Sequence, residues 1–279
     1  MSRLELAGRT AVVTGAGRGI GRAVARSLAE AGAAVVVAAR TGREIEAAAA
    51  ELSGEGHRAL AVRCDVTDPA SVERLAEEAG RLAEEVSRLA EDGGRLADGA
   101  GGSVDILVNN AGAAHSAPVH KTELEDWNRM LAVNATGTFL CTRALLPGML
   151  ERGWGRIVNV VSVAGLTGAR YIAAYAASKH AVIGLTRCTA AETAANGVTV
   201  NAVCPGYVDT PMTTESLRRI AEKTGRSAEG ALQAILAGTP QKRLIQPAEV
   251  AHAVLFLCHE EARGINGGSI VIDGGELLA

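Results

Sequence analysis

Between Thr10 and Ala39 the chain runs through an apolar segment, a glycine turn, an amphipathic segment and a second apolar segment. Thr10 to Thr14 (TAVVT) leads directly into Gly15-Ala-Gly-Arg-Gly-Ile-Gly21, and RAVARSLAEAG follows. Ile20, Val24 and Leu28 recur at helical spacing, and Gly32 is a natural stop. Ala33 to Ala39 (AAVVVAA) reads as a buried strand. Strand, turn, helix and strand of this kind close as a parallel βαβ unit. The glycines at 15, 19 and 21 are not spaced as G-x-G-x-x-G, but the physics is shared. They let the backbone approach a pyrophosphate seated on a helix N-terminus, so the turn predicts dinucleotide binding.

The end of the second strand bears on which dinucleotide. An acidic residue there usually takes the ribose 2′-hydroxyl of NAD. This chain has Ala39 and Arg40 instead, and Arg18 in the glycine turn adds a second guanidinium. The missing acid and the two cations predict NADP(H).

The alternation continues. A third strand, Ala59 to Val66, ends with Asp65, placed to hydrogen-bond an adenine amino group. Val104 to Asn110 reads as a fourth strand entering the turn Ala111-Gly112, and Glu123 to about Arg152 as a long helix with a polar intruder, Asn134. RIVNVVS, closed by Ser162, reads as the fifth strand. A helix carrying Tyr175 runs to about Asn196, and a sixth strand spans Val198 to Val203. Beyond Pro205-Gly206 come a helical segment from Thr213 to Ala237, a helix from Pro247 to His259 and a last strand, Ser269 to Asp273. This pattern predicts a single α/β domain over 1–279, with a doubly wound parallel sheet.

Tyr175 and Lys179 stand one helical turn apart and project from the same face. A phenol of pKa ~10 is a poor base at neutral pH, and an ammonium beside it favours the phenolate. Ser162 adds a hydroxyl that polarises a carbonyl oxygen. Proton donor, pKa modifier and oxygen-binding group are what carbonyl reduction requires.

Composition removes other classes. A net charge of −3 and the lack of any basic tract with interleaved aromatics speak against nucleic-acid binding. Five scattered cysteines without a C-x-x-C pair predict reduced, mostly buried thiols and no metal site. MSRLELAGRT has no apolar signal core, and no stretch reaches the ~18 apolar residues of a membrane span. The expectation is a cytoplasmic protein with no membrane partner.

Thr14-Gly15-x-x-x-Gly19-x-Gly21, Asn109-Asn110-Ala111-Gly112, Ser162, Tyr175-x-x-x-Lys179 and Pro205-Gly206 occur in the order and spacing of the short-chain dehydrogenase/reductase family, which the whole chain resembles. The resemblance implies a Rossmann-type fold and an NADP-dependent oxidoreductase. It makes Tyr175 the acid/base. It has Lys179 bind the nicotinamide ribose, Ser162 orient the substrate oxygen and Asn134 hold a water that relays protons through Lys179. Thr210 would contact the carboxamide, Asn110 the adenine ribose side, and Asp65 and Val66 the adenine. The cofactor set it implies also includes Gly15, Arg18, Gly19, Ile20, Gly21, Arg40, Ala111, Gly112, Pro205, Gly206 and Val208. A homodimer or homotetramer is expected on the same ground.

The segments GMLERGWGRIVNVVS and VTVNAVCPGYVDTPM are similar to those of ketoreductases acting on 3-oxoacyl thioesters and polyketide intermediates. They also resemble 3-hydroxyacyl-CoA and hydroxybutyrate dehydrogenases. The substrate would be a small carbonyl or alcohol, carried as a CoA or acyl-carrier-protein thioester in the first case. A non-catalytic NADP-binding regulator is the reading from a different class, and it would be expected to lack part of the Asn134, Ser162, Tyr175, Lys179 set. A lid is expected over about 207–240. Its Arg218, Arg219 and Lys223 either attract a phosphopantetheine phosphate or form a solvated helix face.

One stretch departs from the family pattern. Arg74 to Gly101 reads RLAEEAG, RLAEEVS, RLAEDGG, RLADGAG, four near-copies of a seven-residue unit. It predicts a helical heptad-repeat insertion, about 81–98, between strands three and four. Val72, Leu75, Ala79, Leu82, Val86, Leu89 and Leu96 fall on the a and d positions of its seam. A single helix from Pro69 to Asp98 would be ~45 Å long and could not return through the few residues before the fourth strand. A break is therefore expected at Gly93-Gly94, with the extra length remote from Tyr175.

Overall fold

A computed structural model of the chain describes residues 6–92 and 102–278. The strands are β1 (Thr10–Thr14), β2 (Ala34–Ala39), β3 (Ala59–Arg63), β4 (Ile106–Asn109), β5 (Gly155–Val160), β6 (Val198–Pro205) and β7 (Ser269–Ile272). They form one parallel sheet in the order β3-β2-β1-β4-β5-β6-β7. The five inner strands are buried on both faces, which is why they read as near-continuous apolar runs, whereas the edge strands β3 and β7 are only partly buried. In β1, Ala11 and Val13 enter one core while Val12 enters the other.

The first core is closed by α1 (Gly19–Glu30), α2 (Gly42–Gly54) and α9 (Pro247–Cys258), through Val24, Leu28, Ile45, Val250 and Val254. The second is closed by α3 (Pro69–Asp92) and α5 (Gly137–Arg152), through Leu75, Ala79, Leu140 and Met149, with Ala190 of α6 (Ala173–Thr193). The strand order reverses between β1 and β4. A doubly wound sheet opens a crevice at that point, beyond the carboxyl ends of its strands. At the opposite end Asp105 accepts hydrogen bonds from Thr10 N (2.8 Å) and Arg9 Nη1 (3.0 Å), clamping the starts of β1 and β4 together.

The expected long helix before β5 is present, but its middle is widened. α4 (Leu124–Met130) passes through a π-turn over Leu131–Thr136 into α5. The helical segment expected from Thr213 to Ala237 is two helices, α7 (Pro211–Thr224) and α8 (Ala228–Leu236). Gly225 turns left-handed at φ 68°, and Ser227 caps α8 by accepting from Gly230 N at 3.0 Å. Helix α2 is not evident from apolar periodicity, because its GREIEAAAAELSG has only Ile45 and Leu52 as large apolar anchors.

In α3, Val72, Leu75, Ala79 and Val86 are buried as the seam predicts, and Leu82 is partly buried. Leu89 departs from it and is 45 % exposed. The Glu85 carboxylate pairs with Arg58 just before β3 at 2.9 Å, so α3 has returned to the amino ends of the strands by that point. The expected break at Gly93-Gly94 and the seam residue Leu96 lie outside the described residues. Among the described residues no helix is long and apolar enough to cross a membrane, and no group of three or more His, Cys, Asp or Glu could hold a metal ion.

Candidate active site

At the β1/β4 switch point a cavity of about 210 Å³ is lined by the glycine turn, Arg40, Asp65, Val66, Asn110, Ala111 and Gly112. A second cavity of about 110 Å³ shares Ile20, Asn110, Gly112, Thr210 and Met212 with it and reaches Ser162, Tyr175, Lys179, Pro205, Gly206 and Val208. The residues expected to bind a cofactor, all but Gly21, therefore line these two adjoining cavities together with Ser162, Tyr175 and Lys179, while Asn134 lies behind the lining.

The turn is built to close tolerances. Gly15 has φ +65°, and a Cβ on Gly21 would lie 2.5 Å from Gly15 O. Thr14 Oγ1 accepts from the amides of Asn110 and Ala111, both at 3.1 Å. Asn110 Nδ2 donates to Thr14 O (3.0 Å) and Gly15 O (3.1 Å). Asn110 thus braces the turn while lining the cleft. α1 starts at Gly19 with no side-chain cap and no acidic residue in its first turn, so its amide dipoles favour an anion there. An uncapped helix start beside Arg18 and Arg40 fits a phosphorylated dinucleotide.

The ribose end holds a residue the sequence reading missed. Strand β2 ends without an acid, as expected, but Glu44 reaches the cavity from the first turn of α2. Its Oε1 lies 3.4 Å from Arg18 Nη1. The inference that no carboxylate faces this subsite is corrected accordingly. Only the packing of α2 on the sheet brings a residue five positions past Ala39 back to the turn. Asp65 accepts from Thr67 N (3.0 Å) and Thr67 Oγ1 (2.8 Å). Burial alone would raise its carboxyl, but the two Thr67 bonds and the Arg40 charge hold it below the usual range.

Ser162 lies two residues beyond β5, and Tyr175 and Lys179 lie in the first two turns of α6. Ser162 lies close enough to Tyr175 for its side chain to favour the phenolate. The Lys179 Nζ donates to Val160 O at 3.0 Å and sits 5.8 Å from the centre of the tyrosine ring. One electrostatic expectation is corrected here. Burial raises the Tyr175 phenol above its ordinary value, and Ser162 only opposes this. Lys179 is itself pushed down to about 8 by burial, because desolvation penalises its charged form. At neutral pH the pair is a protonated phenol beside an ammonium.

Asn134 is buried in the π-turn. Its Oδ1 accepts from Ala113 N (2.8 Å), and its Nδ2 donates to Ala113 O and Ser178 Oγ, both at 2.9 Å. A Cβ on Gly112 would come within 3.2 Å of Asn134 Oδ1 and 3.7 Å of Lys179 Nζ, so the three meet at one point. Ser178 was not singled out from the sequence, although its position between Tyr175 and Lys179 was the available signal.

Thr210 caps α7, its Oγ1 accepting from Thr213 N at 3.4 Å. The basic cluster on that helix is largely neutralised. Arg218 pairs with Glu215 (2.7 Å) and with Glu222, and Arg219 with Glu215 (2.9 Å). Lys223 donates to Ser116 O at 3.3 Å. The solvated-face alternative describes the two arginines.

A parallel sheet with a glycine-turn cleft running into a Ser–Tyr–Lys cluster defines a dinucleotide-dependent oxidoreductase. Residues 9–221 match the family model for short chain dehydrogenases. The chain belongs to the short-chain dehydrogenase family. It is 37 % identical over 273 residues to D-beta-hydroxybutyrate dehydrogenase of Cupriavidus necator, covering 97 % of this chain and 98 % of that one. Among solved structures it superposes on a variant of actinorhodin polyketide ketoreductase with NADPH (TM-score 0.86, 35 % identity, 99 % of each chain). It also superposes on a putative NAD(P)-dependent gluconate 5-dehydrogenase from Beutenbergia cavernae with bound NADP (TM-score 0.83, 39 % identity, 100 % of each chain).

Proposed function

We propose that the chain is an NADPH-dependent carbonyl reductase, acting in reverse as an alcohol dehydrogenase, on a 3-oxoacyl thioester or a polyketide-type ketone. The observation that carries the reading is the single cleft in which Arg18 and Arg40 stand at one end and Ser162, Tyr175 and Lys179 at the other. The bound nicotinamide supplies the hydride. Tyr175, kept protonated by burial, donates its proton to the carbonyl oxygen, and the Ser162 hydroxyl hydrogen-bonds that oxygen. The Lys179 ammonium stabilises the phenolate left behind, and the Asn134 side chain holds the loop carrying Ala113 against this group. NADP(H) is supported by the two arginines and by the solved neighbours bound to NADPH and NADP.

The polyketide ketoreductase neighbour supports the ketone class. The hydroxybutyrate dehydrogenase relative supports a second reading, interconversion of a 3-hydroxy acid or 3-hydroxyacyl-CoA with its ketone. A cytoplasmic homodimer or homotetramer completes the proposal. Exposed Leu124, Trp127 and Phe139 on α4 and α5 support self-association. The test is consumption of NADPH with acetoacetyl-CoA, a bicyclic ketone and free acetoacetate. Turnover of the bicyclic ketone together with acetoacetyl-CoA supports the proposal, and turnover of acetoacetate, or of acetoacetyl-CoA without the bicyclic ketone, supports the second reading. No turnover of any ketone with either cofactor would sink both.

A further inference from the structure

We propose that Glu44 sets how strongly this enzyme discriminates between the two nicotinamide dinucleotides, acting against the preference that Arg18 and Arg40 create. The inference deepens the cofactor reading above and rests on it. Glu44 lies in the first turn of α2, and its carboxylate lines the same cavity as both arginines. Its Oε1 is 3.4 Å from Arg18 Nη1. The side chain is wedged against the glycine turn, since a Cβ on Gly17 would come within 2.7 Å of Glu44 Cβ and 3.1 Å of Oε2. Of the two cations, Arg18 is therefore already engaged by a carboxylate, whereas Arg40 makes no ion pair within 4 Å among the described residues and feels the Asp65 carboxylate only at longer range.

This arrangement acts in opposite directions on the two ribose forms. A 2′-phosphate carries between one and two negative charges near neutral pH. It must take Arg18 from Glu44 or accept a like charge beside it, and both weaken binding. A ribose 2′-hydroxyl can instead donate to the Glu44 carboxylate, the bond an acidic residue makes at a strand end in NAD-selective enzymes. Glu44 occupies the adenosine subsite by a different route, from the following helix. A carboxylate beside Arg18 thus penalises NADP(H), supports NAD(H) and leaves Arg40 as the cation that favours the phosphate.

The experiment is calorimetric binding of 2′,5′-ADP and 5′-ADP to the full chain and to Glu44→Gln, which keeps the side chain's shape and removes its charge. Exposed pairs of this kind contribute modestly, so 2′,5′-ADP should tighten by about three- to fivefold. Binding of 5′-ADP should weaken by about twofold, and the gain should fade in ~1 M salt, where charges are screened over ~3 Å. Glu44→Ala, with circular dichroism to confirm folding, gives a second reading that does not depend on the glutamine variant. A ratio of the two dissociation constants unchanged from wild type in the folded variants would overturn the proposal. Equal binding of both probes to the wild type would instead overturn the NADP(H) reading, and the shift of the ratio in Glu44→Gln would still report on Glu44.

Discussion

Asn134 Nδ2 donates to Ser178 Oγ at 2.9 Å, and the same hydroxyl donates to the Tyr175 carbonyl at 2.7 Å. One buried serine thereby joins the π-turn to the helix that carries the tyrosine and the lysine. Ser178→Ala strands an Asn134 N–H, which costs about 1–3 kcal/mol when buried. The expected outcome is a lower melting temperature and a fall in kcat of several-fold with KM little changed. An unaltered kcat in a destabilised variant would limit Ser178 to a structural role.

Tyr175→Phe removes the acid and leaves the ring. Turnover should fall by about 10² to 10⁴, the usual contribution of a general acid, while NADPH affinity stays near wild type. Fluorescence titration with NADPH alongside steady-state rates separates the two. A variant retaining a tenth of wild-type activity would require a different acid.

The depressed Lys179 value gives a signed pH dependence. With Lys179 at about 8 in the folded chain, kcat/KM for reduction should be level below that pH and fall above it, as the ammonium is lost. Lys179→Arg keeps its charge and should remove the alkaline limb. Stability moves the other way. Between the folded value of about 8 and the ordinary 10.5, the unfolded chain binds more protons, so stability rises with pH. The integrated gain is on the order of 3 kcal/mol. Lys179→Met should therefore melt above wild type at pH 7 and lose that advantage by about pH 10. A difference between the two that is constant with pH would contradict this account.

Cofactor preference is expected to reverse when Ala39→Asp is combined with Arg40→Ala, because an acid then meets the ribose and the cation without an ion pair is gone. Values of kcat/KM for NADPH and NADH read this directly. Comparable values in the wild type would remove the basis for the expectation.

The arginines of α7 are held by Glu215 and Glu222. Replacing Arg218 and Arg219 together with glutamine should leave KM for acetoacetyl-CoA within about twofold, since exposed, already paired charges contribute little. A large rise in KM confined to the CoA thioester would restore these arginines as a phosphate-binding surface.

Seven strands and most helices were legible in the sequence because a two-sided parallel sheet demands uninterrupted apolar runs, and few other structures do. The Tyr175, Lys179 pair was legible for a similar reason, since helical geometry alone puts residues four apart on one face. Helix α2 escaped notice because GREIEAAAAELSG anchors itself with two large apolar side chains and relies on the sheet for the rest. The break at Gly225 could be read only as a glycine, not as the end of α7. The sequence by itself determined the strand alternation, the glycine turn and the identity of the reactive groups. Tertiary structure alone decided their electrostatics and their partners. It lowered Lys179 and raised Tyr175 by burial, neutralised Arg218 and Arg219, bound Asn134 to Ser178 and brought Glu44 to Arg18. Desolvation and long-range pairing depend on what packs around a group, and a linear pattern records only what sits beside it along the chain.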